Sequence, residues 1–320
     1  MKQILYITVL VILNFSCTKE KKDIYIKTIE TGAKYRINDI YFLNKDKGFA
    51  VGGDKYFEGN IIETKDGGNT WSIVENSRIS SHSEVKLQTL HSIDFLNDST
   101  GQIVGFGGKV LRTEDGGKTW ISILNGSWSH FIQIKMFSLQ KTLIVSKGAL
   151  FKSSEFWYNY DIEDFSFTLS DIEITANNTA YLVGYGFVKK SIDNMQTWKT
   201  LNIKGDFFYD IDFVNNNTGF MCGWQGGIYK TVDAGETWQK LHPVNSAFSK
   251  RYHFENLDFI DENTGVVCAY NGEILYTKNA GKTWQKIKID NKTDFHSIYF
   301  YDKNTVFVGG SEGEIFEIKL

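Results

Sequence analysis

Five eight-residue stretches of this chain share one pattern, S/T-x-D-x-G-x-T-W. Thr64 to Trp71 and Thr113 to Trp120 carry it with Gly-Gly at the turn, and Thr231 to Trp238 carries it with Ala234-Gly235. Ser191 to Trp198 is a worn copy with Asn194-Met195 in that place, and Thr277 to Trp284 has Asn279 instead of Asp. Each residue type has a physical task. Glycine supplies the positive φ of a tight turn. Asp accepts hydrogen bonds from main-chain N–H groups of its own turn. Trp offers a large apolar plate at the hairpin base. The box is therefore read as a structural device that closes a β-hairpin, with Asp66, Trp71, Asp115, Trp120, Asp193, Trp198, Asp233, Trp238, Asn279 and Trp284 as its working residues.

The pattern resembles the Asp-box, or BNR, repeat of sialidases, sortilin-type receptors and the photosystem II stability/assembly factors. In those families the boxes sit on the periphery, away from any active site. The resemblance implies a propeller and says little about function, because fold does not imply function.

Alignment on the residues before each box exposes a longer repeat. Residues 208–241 show it whole: FYDIDF, a VNNNTG turn, FMCGW, QGGIYKT, the box, and WQKL. Four strands in roughly 40–45 residues is the signature of a propeller blade. Seven first strands are expected: Ile37–Phe42, Leu90–Phe95, Phe131–Met136, Leu169–Ile174, Phe208–Phe213, Phe254–Phe259 and Phe295–Phe300. The third unit keeps only the Ser and Trp of its box, in Ser153 to Trp157. The seventh ends on its third strand, Glu314 to Lys319, while residues 24–30 align with a fourth strand. The expected fold is thus all-β: a seven-bladed β-propeller of four-stranded antiparallel blades, its last blade closed by the N-terminal strand 24–30, which removes exposed edges. A single propeller spans 24–320 and is read as a monomer.

The 320 residues are 42% hydrophobic and 15% aromatic, with 29 Gly and one Pro, Pro243. A formal net charge of −3 gives no pull toward nucleic acid or acidic lipid. Residues 1–16 read as a signal peptide: Lys2, then ten apolar-rich residues from Ile4 to Leu13, too few to span a bilayer. Ser16-Cys17 resembles a bacterial lipobox, which implies a lipid on Cys17, a tether at 17–23, and a place in the cell envelope, at the outer membrane. Cys222 and Cys268 take the same slot in successive repeats as Val51, Val104, Val183 and Val308, so both read as small core residues.

In the first strands two polar columns alternate with apolar residues at a period of two. One is Asp39, Ser92, Gln133, Asp171, Asp210, Asn256 and Ser297; the other is Tyr41, Asp94, Lys135, Glu173, Asp212, Asp258 and Tyr299. The polar side is expected to face a central channel holding seven acids, Asp39, Asp94, Asp171, Glu173, Asp210, Asp212 and Asp258, as scaffolding satisfied by main-chain groups; no metal or cofactor is assigned.

The candidate binding face lies opposite the boxes, where long inserts Gly53–Gly59, Glu75–Thr89 and His242–Tyr252 are expected. It comprises Tyr56, Phe57, Arg78, Trp128, Trp224, Arg251 and Tyr252, an aromatic and basic rim suited to a protein or glycan of the envelope. The alternative is a glycoside hydrolase at the channel mouth. Tyr35-Arg36-Ile37-Asn38 resembles a sialidase motif without its Pro, but the chain has four Arg in all, so an arginine triad would need two loops to deliver the rest. The chain is read as a non-catalytic scaffold; its nearest resemblance is to photosystem II stability/assembly factor-like propellers, without their photosynthetic role.

Overall fold

The computed structural model describes residues 24–54, 58–80, 87–124, 126–138, 141–153, 160–203, 207–241, 253–270, 272–289 and 293–320. Seven antiparallel sheets follow one another round a ring, each with its first strand innermost. Blade 5 is typical: Phe208–Phe213, Gly219–Gly223, Ile228–Thr231 and Gln239–Leu241. The seven first strands begin at the expected residues; those of blades 3 and 7 run on to Ser138 and Asp302.

The ring closes as the repeat demands. Tyr25–Ile29 pairs antiparallel with Ile315–Lys319, from Tyr25 opposite Lys319 to Ile29 opposite Ile315. Blade 2 has one strand more than the repeat predicts. Ile79–Ser80, from the insert after blade 1, lies parallel to the outer strand of blade 2, Trp120–Ile123. Cys222 and Cys268 are buried free thiols in the core.

Between blades the packing is aromatic. The Phe that closes a first strand stacks on a second-strand ring of the preceding blade: Phe95 on Phe49 at 5.6 Å, Phe213 on Tyr181 at 4.1 Å, Phe259 on Phe220 at 3.5 Å. The box Trp stands edge-on to that Phe, as Trp284 does to Phe259 at 6.2 Å and 90°. Offset and edge-to-face geometry of this kind adds to area burial.

The box holds itself together by hydrogen bonds within its own turn. In blade 1 the Thr64 hydroxyl accepts the Gly68 N–H and donates to Asp66, both at 2.9 Å. Asp66 accepts the N–H and the hydroxyl of Thr70 at 2.9 and 2.6 Å. Asp115 and Asp233 repeat the set. Asn279 keeps it by accepting the Thr283 N–H with Oδ1 and donating to its hydroxyl with Nδ2. Two successive residues turn left-handed in each box, including Met195 at φ 61° in the worn copy.

Candidate functional site

Every first strand carries a register shift at one place, between residues 37 and 39, 90 and 92, 131 and 133, 169 and 171, 208 and 210, 254 and 256, and 295 and 297. A bulge inserts one residue and re-aims side chains. The inserted residues are Asn38, His91, Ile132, Ser170, Tyr209, Glu255 and His296, and all seven line one cavity of about 300 Å³ at the channel mouth. It opens on the face opposite the boxes, because Lys147 and Tyr270 from turns between second and third strands line it as well.

Below the mouth the first polar column forms a closed girdle. Asp39 accepts the N–H of Ile93 at 2.9 Å, and the Ser92 hydroxyl sits between Asp39 and the Gln133 side chain. Gln133 donates to Asp171 at 2.6 Å, Asp171 accepts the N–H of Ile211 at 3.1 Å, and Asp210 that of Leu257 at 2.7 Å. Asn256 accepts the N–H of Ile298 at 2.8 Å, and the Ser297 hydroxyl donates to the carbonyl of Ile37 at 3.2 Å. Every junction between blades is tied at least once.

The second column ties six junctions. Asp94, Asp212 and Asp258 accept the N–H groups of Met136, Phe259 and Phe300 at 2.6, 2.9 and 2.7 Å. Lys135 pairs with Glu173 at 2.8 Å. Tyr41 and Tyr299 donate to the carbonyls of Phe95 and Phe42 at 3.4 and 3.5 Å. Burial pushes Asp39, Asp94 and Asp258 up to about 6. Burial, with Asp171 beside it, drives Asp210 well above the usual carboxylate range. All seven channel acids are thus engaged across or along the blades.

At the mouth polar groups of both signs line one cavity. The carboxylate of Glu255 meets His296 Nδ1 at 3.0 Å, and His296 Nε2 meets Ser311 at 2.9 Å. The Tyr270 hydroxyl bonds to Glu255, and burial first, then that bond, raises its pKa. Arg36 and Lys147 line the same cavity. His91 is pushed down to about 4 by burial, then by Arg36, His130 and Lys147, and is neutral at pH 7. Phe207, Tyr209 and Tyr270 supply apolar wall.

Of the residues singled out from sequence, Trp224 and Trp128 lie on this face. Trp224 is 42% exposed, its main-chain N–H bound to the Phe207 carbonyl, its ring 5.0 Å from His253; rings then continue through Tyr270 to His296. Trp128 is 87% exposed beside the Gly108 turn. Arg78 does not join them. Its guanidinium grips Glu63 and donates to the carbonyls of Gly117 at 2.6 Å and Lys118 at 2.7 Å, in the box of blade 2. Residues 79–80 lie along the outer edge of blade 2, so Arg78 anchors strand Ile79–Ser80 there. Tyr56, Phe57, Arg251, Tyr252 and Cys17 lie outside the described residues.

Strict alternation hid the bulge row, since a residue added to a strand changes the side on which its neighbours point. One signal was available: the slot before the first polar column holds Asn, His, Ile, Ser, Tyr, Glu and His, and so lacks the chemical consistency of the scaffolding columns.

Several solved structures superpose on nearly the whole of this chain. YCF48 bound to D1 peptide superposes with a TM-score of 0.75 at 19% identity, over 92% of this chain and 97% of that one. YCF48 from Cyanidioschyzon merolae gives 0.72 at 17%, over 92% and 98%. The WD40 beta propeller domain of Doa1 gives 0.67 at 13%, over 92% and 95%. At these identities the likeness concerns the fold. No curated protein matches the sequence. The family described as photosynthesis system II assembly factor YCF48 matches residues 19–161 and 189–318, most of the chain, and the protein belongs to that family.

Proposed function

We propose that this protein is a non-catalytic propeller scaffold of the bacterial envelope, tethered through lipid on Cys17, that holds an extended segment of a protein partner across the channel mouth. The observation that carries the reading is the bulge row: the girdle columns maintain the ring, while a third row is free to differ blade by blade and faces an open cavity. The aromatic run from Trp224 to His296 beside it suits an anchor surface for a partner. That a family relative is solved as YCF48 bound to D1 peptide supports a peptide over a glycan.

A second reading has one observation in its favour. Tyr270 and Glu255 are hydrogen-bonded at the mouth that Arg36 also lines, a grouping a glycosidase of the sialidase type would use. Against it, the phenol of Tyr270 is held protonated, Arg78 is spent on blade 2, and Arg112 pairs with Glu114 beside a box.

The test presents the protein to arrays of peptides from its own envelope proteins, beside a panel of glycoside substrates. A subset of peptides is expected to bind, about tenfold more weakly with Trp224→Ala and unchanged with the box variant Asp233→Asn. Turnover of a glycoside that Glu255→Gln abolishes would replace this reading with the enzyme.

A further inference from the structure

We infer that the channel mouth is a carboxylate-binding subsite, in which Arg36 receives a single carboxylate from a peptide chain. The inference rests on the peptide-holding reading and names the chemistry of its central contact. Arg36 is a half-buried cation: among the described residues no carboxylate forms an ion pair with it, and its Nε is buried without a hydrogen-bond partner. Ser170, on the same cavity, has a hydroxyl in the same condition. Buried donors are almost always paired, and an unmade bond to a charged group is costly, so two orphans on one cavity point to a ligand that completes them.

The one acid at the mouth does not serve Arg36. Glu255 is already bound by His296 at 3.0 Å and by Tyr270. Arg36 and Lys147 are the cations on this cavity, and the depressed pKa of His91 is a consequence first of burial and then of the charges beside it. A planar guanidinium suits a carboxylate, which it can hold by two parallel bonds. One guanidinium on a cavity that also holds Glu255 suits a monoanion and disfavours a phosphate dianion. Phe207 and Tyr209 would flank the residue that carries the carboxylate. A peptide offers that group from its C-terminus or from an Asp or Glu side chain.

The experiment titrates the full-length protein in detergent with three short peptides of one sequence: free C-terminus, amidated C-terminus, and amidated with an internal Glu. Inorganic phosphate is the competitor. One of the two carboxylate peptides is expected to bind at least tenfold more tightly than the plain amide, and which one binds identifies the source. Arg36→Met should abolish that preference and Arg36→Lys restore part of it, while binding should raise the pKa of His91 as followed by NMR. Equal binding of all three peptides, indifference to Arg36→Met, or displacement by phosphate at the concentration of carboxylate would overturn the inference. If Arg36→Met captures partner peptides through Trp224 with undiminished affinity and the same carboxylate preference, this inference fails and the scaffold stands. If carboxylates bind through Arg36 but no partner peptide is held, the scaffold reading fails and the subsite stands.

Discussion

The carboxylate of Asp258 on blade 6 accepts the main-chain N–H of Phe300 on blade 7 at 2.7 Å. The same relationship, a side chain of one inner strand to the backbone of the next, recurs round the ring. In the neighbouring column Asn256 makes the equivalent bond to Ile298 at 2.8 Å, so the task needs an acceptor and not a charge. Asp258→Asn is therefore expected to leave stability nearly unchanged. Asp258→Ala strands the Phe300 N–H and should cost about 1–3 kcal/mol, which denaturant melts of the two variants would separate.

The buried acids make stability depend on pH in a defined direction. Asp39, Asp94 and Asp258 sit at about 6 in the folded ring, against about 3.9 for an unfolded Asp. Between these values the folded state binds more protons, so stability is present at low pH and lost as pH rises through 6. The box carboxylates Asp66, Asp115 and Asp233 are shifted down and act oppositely, losing their contribution as pH falls below about 4. Thermal melts should show a maximum near pH 4 and a fall of several degrees by pH 7.5. Asp94→Asn should flatten that slope; a rise in Tm from pH 5 to 7.5 would contradict the account.

Gly117 illustrates why the box needs glycine twice over. Its φ is 79°, and a Cβ there would lie 2.2 Å from Cζ of Phe49 on the preceding blade. Gly117→Ala combines a left-handed alanine with overpacking and should cost about 2–4 kcal/mol. Ala234, at φ 57° in the first of the two left-handed positions of its own box, marks the contrast. Ala234→Gly should be neutral or slightly stabilising by the same melt.

Closure through Tyr25–Ile29 predicts a non-local dependence. Deleting residues 24–30 exposes the edge of Ile315–Lys319, nearly 300 residues away in sequence. Loss of cooperative unfolding and aggregation are the expected results. Hydrogen exchange should show the loss first in the last blade, with blade 4 protected longest.

Most of the scaffold was legible because a propeller writes itself as a repeat. Period-two alternation gave the two channel columns, and their hydrogen bonds followed from strand geometry that every blade shares. The mouth was not legible for the reason that makes it a candidate site. One inserted residue per first strand breaks the alternation, and its seven side chains, from Asn38 to His296, differ from blade to blade. Arg78 was misplaced because sequence assigns an insert to a face by its loop position, whereas here the chain crosses to the outer edge of blade 2 and the Arg is captured by Glu63 and two box carbonyls.

What the amino-acid order determined alone was local and periodic: which residues turn, which alternate, how many times the unit recurs, and that the two ends share one blade. Those properties depend on φ preference, on side-chain size and on a period of two, all carried within a few residues. Only the closed ring decided which orphaned groups meet. Arg36 and Ser170 belong to blades 1 and 4, and they line one cavity because seven inner strands converge on a single axis. That juxtaposition depends on blade number and strand tilt together, and no stretch of sequence records it.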